Sequence, residues 1–314
     1  MSSEQASDSP PTRHPPPASR QSWWRRFLAK GVFWRKFLRF AAMHVPPWIE
    51  PLVIACWAGI FLLFAPGRQA VMSNLKRVKK GSTPLANFFR CYRVFWNYAW
   101  SLSDTMRFRE MRVVPDWEFT GYQHFEVMQA TGGAVLLSAH MGSYDLAAYL
   151  LAERSGHRVI IVRAPEVDPE TDEYEKQRKP AEVQTEFNVK ASDLAIDLLH
   201  AVRDGGIVAI HGDRVAANIG ELPATLFGEA TRLPAGPFAL AMSSHAPIHP
   251  IFIVRTGRRR YRVVAYPPIV VEASRDRNAA FGKAMAAWTR DLEDIVSKTW
   301  YQWYAFVPLW PEAT

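Results

Sequence analysis

The chain predicts an α/β fold, a mostly parallel central sheet flanked by helices, preceded by an N-terminal helical segment suited to a membrane. Two observations predict the sheet. From Trp117 onward, short apolar runs alternate with segments of helical periodicity, the pattern of successive strand–helix units. The runs at 134–139, 159–162 and 207–210 are apolar but for Ser138, the form of buried strands. A third observation, an aromatic and basic stretch followed by an apolar segment between prolines, predicts the N-terminal part.

Taken in order, residues 1–19 are rich in Ser and Pro, with Pro15-Pro16-Pro17, and are expected to be a disordered tail. Residues 20–47 form a basic aromatic arm. Seven basic and no acidic residues occur over 20–49, interleaved with Trp23, Trp24, Phe27, Phe33, Trp34, Phe37 and Phe40. Trp24, Phe27, Trp34 and Leu38 share a helical face while Phe33, Phe37 and Phe40 spill onto another, so the amphipathicity is imperfect. Trp mixed with Arg and Lys suits a helix lying at a lipid interface. Residues 48–66 are the hydrophobic, membrane-associating segment, apolar over 52–65 between Pro51 and Pro66. That is shorter than the ~20 residues a spanning helix needs, so a monotopic helix is expected, with a single spanning anchor as the alternative. No secretory signal is expected.

Residues 67–314 make the globular domain. Residues 68–109 read as helical and aromatic. A strand over 134–139 is followed by a helix over 144–154 with Ser143 as N-cap. A strand over 159–162 ends on Arg163, and 166–190 is charged and irregular. A helix over 192–203 stops at Gly205-Gly206. A strand over 207–210 ends on His211-Gly212-Asp213-Arg214. A helix over 237–244 and strands over 248–255 and 261–271, the last interrupted by Pro267-Pro268, precede a closing helix from Asn278 to about Tyr301.

A chain of 314 residues that is 48% hydrophobic can bury one large core or two modest ones, and a 22% charged fraction excludes wholesale disorder. Cys56 and Cys91 make neither a disulfide framework nor a metal-spaced cluster, which fits a reducing compartment. A net charge of +8 points to an anionic partner: nucleic acid, a membrane surface or an acidic carrier protein. Aromatic stacking on single-stranded nucleic acid would use the same residue types as the arm, but no nucleic-acid motif follows, and none is expected to bind.

The chemistry concentrates at strand ends, where open α/β sheets bind ligands. His140-Met141-Gly142-Ser143-Tyr144-Asp145 follows the first apolar run. A histidine there, turned through Gly142 and Ser143, presents its imidazole at the sheet edge. Asp145 reaches it if His140 lies in the turn and Asp145 in the first helical turn. A carboxylate on one ring nitrogen fixes the tautomer and leaves the other as a general base. The alternative is a satisfied histidine and an aspartate stabilising a helix N-terminus. Arg163 ends the next strand, and Asp213 with Arg214 the one after. Together with Arg178, these arginines are candidates to hold anionic substrate parts bidentately, against the alternative of structural ion pairs. His140, Asp145, His211 and Asp213 have metal-ligand chemistry, but their spacing matches no closed site, and no metal is expected.

The order of these elements resembles the bacterial secondary acyltransferases of lipid A biosynthesis, within the wider glycerophospholipid acyltransferase superfamily. The resemblance rests on His140 and Asp145 after a strand, Val162-Arg163, Arg178 in a charged segment, and Gly205-Gly206 before Gly212-Asp213-Arg214. Phe227-Gly228, then Gly236 and Phe238-Ala239-Leu240-Ala241, continue it, with weaker matches at Asn74-Leu75 and Gln302-Trp303. Asp213-Arg214 departs from the usual Asp-Gln, and His211 is added. The resemblance implies a glycerolipid acyltransferase-like fold and transfer of a fatty acyl chain to a hydroxyl of a membrane lipid such as a lipid A precursor. Its donor would be acyl carrier protein or coenzyme A thioester, with no cofactor, at the cytoplasmic face of the bacterial inner membrane. His140 and Asp145 would be the base pair, and Arg163, Arg178, Asp213, Arg214 and Gly142 would bind substrate. Backbone N–H groups of the 140–143 turn, or Arg163, are the oxyanion candidates. Ser143 lacks a Gly-x-Ser-x-Gly elbow, which weighs against a serine hydrolase. Other phospholipid, glycolipid or aminolipid acceptors, and a catalytically silent lipid-binding protein of this fold, are the alternatives.

Overall fold

A computed structural model of the chain describes residues 31–65, 67–154, 156–163, 183–187, 191–215 and 220–310. The expected tail, the first part of the arm and Arg178 lie outside them. Helices α1 (Gly31–His44), α2 (Glu50–Phe64), α3 (Arg68–Val78) and α4 (Pro84–Met111) come first. Strands then alternate with helices: β1 (Asp116–Thr120), α5 (Tyr122–Thr131), β2 (Ala134–Ser138), α6 (Tyr144–Arg154), β3 (Val159–Arg163), β4 (Val183–Phe187), α7 (Ala191–Arg203) and β5 (Ile207–His211). A hairpin of β6 (Glu221–Leu226) and β7 (Glu229–Pro234) precedes α8 (Gly236–Ser244), β8 (Ile248–Gly257), β9 (Arg260–Ala265), α9 (Arg277–Thr299) and a 3-10 turn at Trp300–Gln302.

Seven strands form one sheet in the order β1-β9-β8-β2-β5-β3-β4. Every pairing in it is parallel except β8 with β9. The α/β class with a mostly parallel sheet is therefore as expected. β2 is buried along its whole length because both faces are covered. On one face α7, α8 and α9 bring Phe238, Met285, Trp288 and Leu292 against it, and on the other α4, α5 and α6 bring Phe108, Met128 and Leu146.

Four strands differ from the sequence reading. β4 lies inside the segment read as irregular; it is an edge strand on β3, and flanking charge and Pro180 obscure its short alternation. β6 and β7 form a separate antiparallel pair turning through Phe227 and Gly228, both at positive φ. β9 ends at Ala265 because Pro267 and Pro268 have no N–H to continue a ladder.

The N-terminal helices are docked on α4. Helix α2 buries Glu50, Ile54, Ala58 and Leu62, one residue per turn. Its opposite side exposes Leu52, Ile60, Leu63 and Phe64, so it lies along the protein rather than standing away from it. Buried Glu50 receives Arg107 at 2.9 Å, Arg258 at 2.6 Å and Arg259 at 3.3 Å. Burial pushes the Glu50 carboxyl up, but hydrogen bonds from Ser103 and Arg258 and the charge of Arg107 outweigh it and hold it below the usual range. No single described helix is long and apolar enough to cross a membrane.

Candidate active site

Strand β2 ends at Ser138, and the chain turns through His140–Ser143 into α6. Gly142 sits at φ +57, and a Cβ there would lie 2.0 Å from the Ile253 carbonyl oxygen, so only glycine lets the turn press onto β8. The turn is bolted from outside. Ser101 Oγ donates to the Gly142 carbonyl at 2.7 Å, the Gly142 amide donates to Gln302 O, and the Tyr304 amide donates to His140 O. Gln302 in turn brackets Arg255, accepting from its amide and donating to its carbonyl. Asn74 donates to Ala305 O and Val307 O and accepts from the Leu309 amide, locking the C-terminal segment that carries these contacts. Ser143 is buried with its hydroxyl 3.1 Å from Thr105 Oγ1.

The carboxylate that holds His140 is Asp213, correcting the expectation of Asp145. Asp213 Oδ1 lies 2.7 Å from His140 Nδ1, while its Oδ2 accepts from the His140 amide at 3.1 Å and from Trp303 Nε1 at 3.0 Å. Asp213 is fully enclosed. Burial pushes its carboxyl up, but the charge and hydrogen bond of His140, with His211 and Arg214 beside it, outweigh burial and hold it below the usual carboxylate range. Asp145, on the first turn of α6, faces Arg163 at 3.5 Å, and both are about one-third exposed.

The other ring nitrogen, Nε2, lies 2.9 Å from Arg214 Nη2. A carboxylate only accepts and a guanidinium only donates, so the neutral imidazole carries its proton on Nδ1 and keeps the Nε2 lone pair. That is the tautomer a base needs. His211, the last residue of β5, lies against His140 with ring centroids 4.1 Å apart, and Tyr144 packs edge-on against both. Burial, then the neighbouring His140, push His211 well below the ordinary histidine range and keep it neutral.

Beside these rings opens a cavity of about 390 Å³ along the sheet face covered by α5 and α6. Its walls are mostly apolar, among them Leu136, Leu151, Ala209, Ile251 and Val263, and its polar end carries Tyr144, Asp145, Arg163 and His211. The structure thus brings His140, Asp213 and Arg214 into contact and sets Asp145 and Arg163 at the cavity rim. Gly142 serves the turn, with its amide and carbonyl both used within the protein. The amides of residues 140, 141 and 142 are all engaged, by Asp213, Ala139 O and Gln302 O, which removes those three as oxyanion donors and leaves the Ser143 amide and the arginines. Sequence reasoning missed Trp303 as a partner of Asp213 and the Tyr144–His211 packing; the added histidine at 211 was the available signal. Among the described residues no group of three or more His, Cys, Asp or Glu is placed to hold a metal ion.

Comparison with known proteins matches residues 91–312 to the family of bacterial lipid A biosynthesis acyltransferases. Two relatives are phosphatidylinositol mannoside acyltransferases of Mycobacterium tuberculosis. The one from strain CDC 1551/Oshkosh is 24% identical over 266 residues, covering 78% of this chain and 77% of the relative. The one from strain ATCC 25618/H37Rv is 25% identical over the same length and shares.

Proposed function

The chain belongs to the bacterial lipid A biosynthesis acyltransferase family, and from that premise we propose that it moves a fatty acyl chain from a carrier thioester to a hydroxyl of a membrane glycolipid, with His140 as general base. Both the family's description and its mycobacterial relatives concern glycolipids, which supports a lipid A precursor-like or phosphatidylinositol mannoside-like acceptor. The observation that carries the reading is His140, with a buried carboxylate on Nδ1 and its Nε2 lone pair turned to Arg214, packed on His211 and Tyr144 of the apolar cavity wall.

In this mechanism the acyl chain lies in the cavity and its thioester carbonyl stands near His140. The acceptor hydroxyl gives its proton to Nε2 as its oxygen attacks the carbonyl carbon. Asp213 stabilises the imidazolium that forms, and Arg214, displaced from Nε2, faces the developing oxyanion. Collapse breaks the C–S bond, and the imidazolium returns the proton to the departing thiolate. No acyl-enzyme forms. The donor is an acyl carrier protein or coenzyme A thioester, and the acidity of a carrier protein suits a chain of net charge +8. The exposed apolar side of α2 and the basic arm hold the site at the cytoplasmic membrane face, α2 as a monotopic helix.

Purified protein given acyl-carrier and acyl-coenzyme A thioesters with candidate glycolipids tests the reaction, and mass spectrometry of membrane lipids from a deletion strain identifies the acceptor. Wild type should acylate and His140→Ala should lose orders of magnitude of turnover while staying folded. A His140→Ala protein with near-normal turnover overturns the base assignment. A wild-type protein inert towards every pair returns the chain to a lipid-binding role.

A further inference from the structure

We propose that a second cleft, on the side of α4 turned away from His140, binds the phosphate-bearing headgroup of an anionic membrane phospholipid that is not turned over; this rests on the membrane-bound reading above. The cleft is about 640 Å³ and is lined by Tyr92, Arg93, Trp96 and Asn97 from α4, Arg255 from β8, and Tyr301. Positions 92, 93, 96 and 97 share one face of the helix. A different side of α4 serves the catalytic turn, through Ser101 on the Gly142 carbonyl and Tyr98 packed at 5.0 Å on Tyr304.

Three features select the ligand. The lining carries two guanidiniums and no carboxylate. Arg93 lies 4.0 Å over the Tyr301 ring, and its guanidinium makes no hydrogen bond or ion pair among the described residues. Arg255 is held 5.1 Å over Trp100, with Nη1 on Gly257 O at 3.1 Å and Nη2 on Asn97 Oδ1 at 3.4 Å. Stacking fixes both planar forks before any ligand arrives, which suits bidentate contact with phosphate oxygens. Second, Phe89, Tyr92, Trp96 and Tyr301 make most of the remaining wall, and Phe89, like Leu85 one turn earlier, is more than 60% exposed. A ligand with apolar tails covers these side chains; a free anion does not. Third, Tyr92 donates to Ala55 O of α2 at 3.2 Å, so one wall is tied to the helix whose outer side is apolar. An acidic protein helix fits less well, because two guanidiniums gathered in one aromatic cleft offer it no row of separated cations.

Full-length protein is tested by flotation with phosphatidylcholine vesicles, with and without phosphatidylglycerol. Wild type should prefer the anionic vesicles. Arg93→Gln should lose about fivefold of that preference, the contribution of one arginine near an anionic surface, with binding to neutral vesicles and the melting curve unchanged. Lys283→Gln makes the same charge change at an exposed site on α9, across the sheet, and should keep the preference. Arg93→Lys, which retains the charge, should fall between and replaces Arg93→Gln if that variant misfolds. Equal losses in Arg93→Gln and Lys283→Gln, or no anionic preference in wild type, overturn the proposal. So does saturation of the tryptophan fluorescence response by inorganic phosphate as readily as by dihexanoylphosphatidylglycerol. Loss of acyl carrier protein binding in Arg93→Gln with vesicle binding intact assigns the cleft to protein docking instead. None of these readouts needs turnover, so an inert enzyme would refute the acyl-transfer reading and leave this one standing.

Discussion

Replacing Asp213 by Asn tests the site with almost no change of shape. Asp213 accepts three hydrogen bonds, from the His140 amide, His140 Nδ1 and Trp303 Nε1. An asparagine offers one acceptor oxygen, so its NH₂ must face either His140 Nδ1 or the two donors that Oδ2 now accepts from, the His140 amide and Trp303 Nε1. If the NH₂ meets Nδ1, the imidazole proton moves to Nε2, and the lone pair proposed to take the acceptor proton is gone. The expected fall in turnover is about 10²–10⁴-fold, the usual contribution of a positioned base, or about 3–5 kcal/mol in the barrier. A buried donor left without a partner also costs roughly 1–3 kcal/mol of stability, so rates are compared well below the variant's melting temperature. Asp145→Asn is the control. Its pair with Arg163 is 3.5 Å long and partly exposed, a class that contributes up to about 1 kcal/mol, so turnover should fall by less than about tenfold. The assay is single-turnover transfer from a labelled acyl thioester, separating chemistry from product release. Asp145→Asn falling further than Asp213→Asn, or a fully active Asp213→Asn, would refute the assignment.

Other expectations follow from the same geometry. Arg214→Lys and Arg163→Lys keep the charge and lose the fork, and at least one should lower kcat/KM clearly; two fully active variants would make both residues structural. Ala209→Leu fills the cavity wall and should shift the donor preference to shorter chains, measured with a thioester series, by about fourfold per methylene excluded; an unchanged profile would put the chain elsewhere. His249 is buried, and burial pushes it down from 6.5 to about 4. The unfolded chain therefore binds a proton the folded one refuses, and stability falls as pH drops from about 6.5 to about 4, by about 3 kcal/mol at most. His249→Leu should flatten that part of the melting-temperature profile, and an identical profile would refute the cause. Deleting residues 1–40 should leave protein on membranes but make it easier to strip with salt. Deleting through residue 65 removes Glu50 from Arg107, Arg258 and Arg259 and should give aggregation, seen by light scattering; a soluble, folded product would show that α2 is dispensable.

The strands and helices nearest the site were legible because their sequences are locally consistent. Ala134–Ser138 is apolar enough to be only a buried strand, and Tyr144–Arg154 and Ala191–Arg203 start and stop close to where periodicity and Gly205-Gly206 place them. What local pattern hides is pairing. β4 has five residues, and its evidence is a parallel neighbour, β3, some twenty residues earlier. Likewise Asn74 and Gln302 show no chemistry in sequence, yet the Asn74 amide braces the C-terminal segment, donating to Ala305 O 231 residues away, and the Gln302 carbonyl takes the Gly142 amide of the turn.

The partner of His140 was misread for the same reason. Sequence distance favoured Asp145, five residues on, whereas Asp213 is 73 residues away. In the sheet, β2 and β5 are neighbours, and their register pairs Ser138 with His211. His140 and Asp213 each stand two residues beyond that pair, on strands spaced about 4.8 Å apart, which places an imidazole and a carboxylate within hydrogen-bond reach. Asp145 starts α6, and the helix carries it towards β3, where Arg163 ends the next strand and meets it. The register that joins His140 to its carboxylate is thus set by the buried ladder of β2 and β5. A slip of one residue there would turn Asp213 to the other face of the sheet and leave His140 without its charge partner. Core substitutions at Leu137 or Ile210 that loosen this ladder should therefore lower turnover before they unfold the protein.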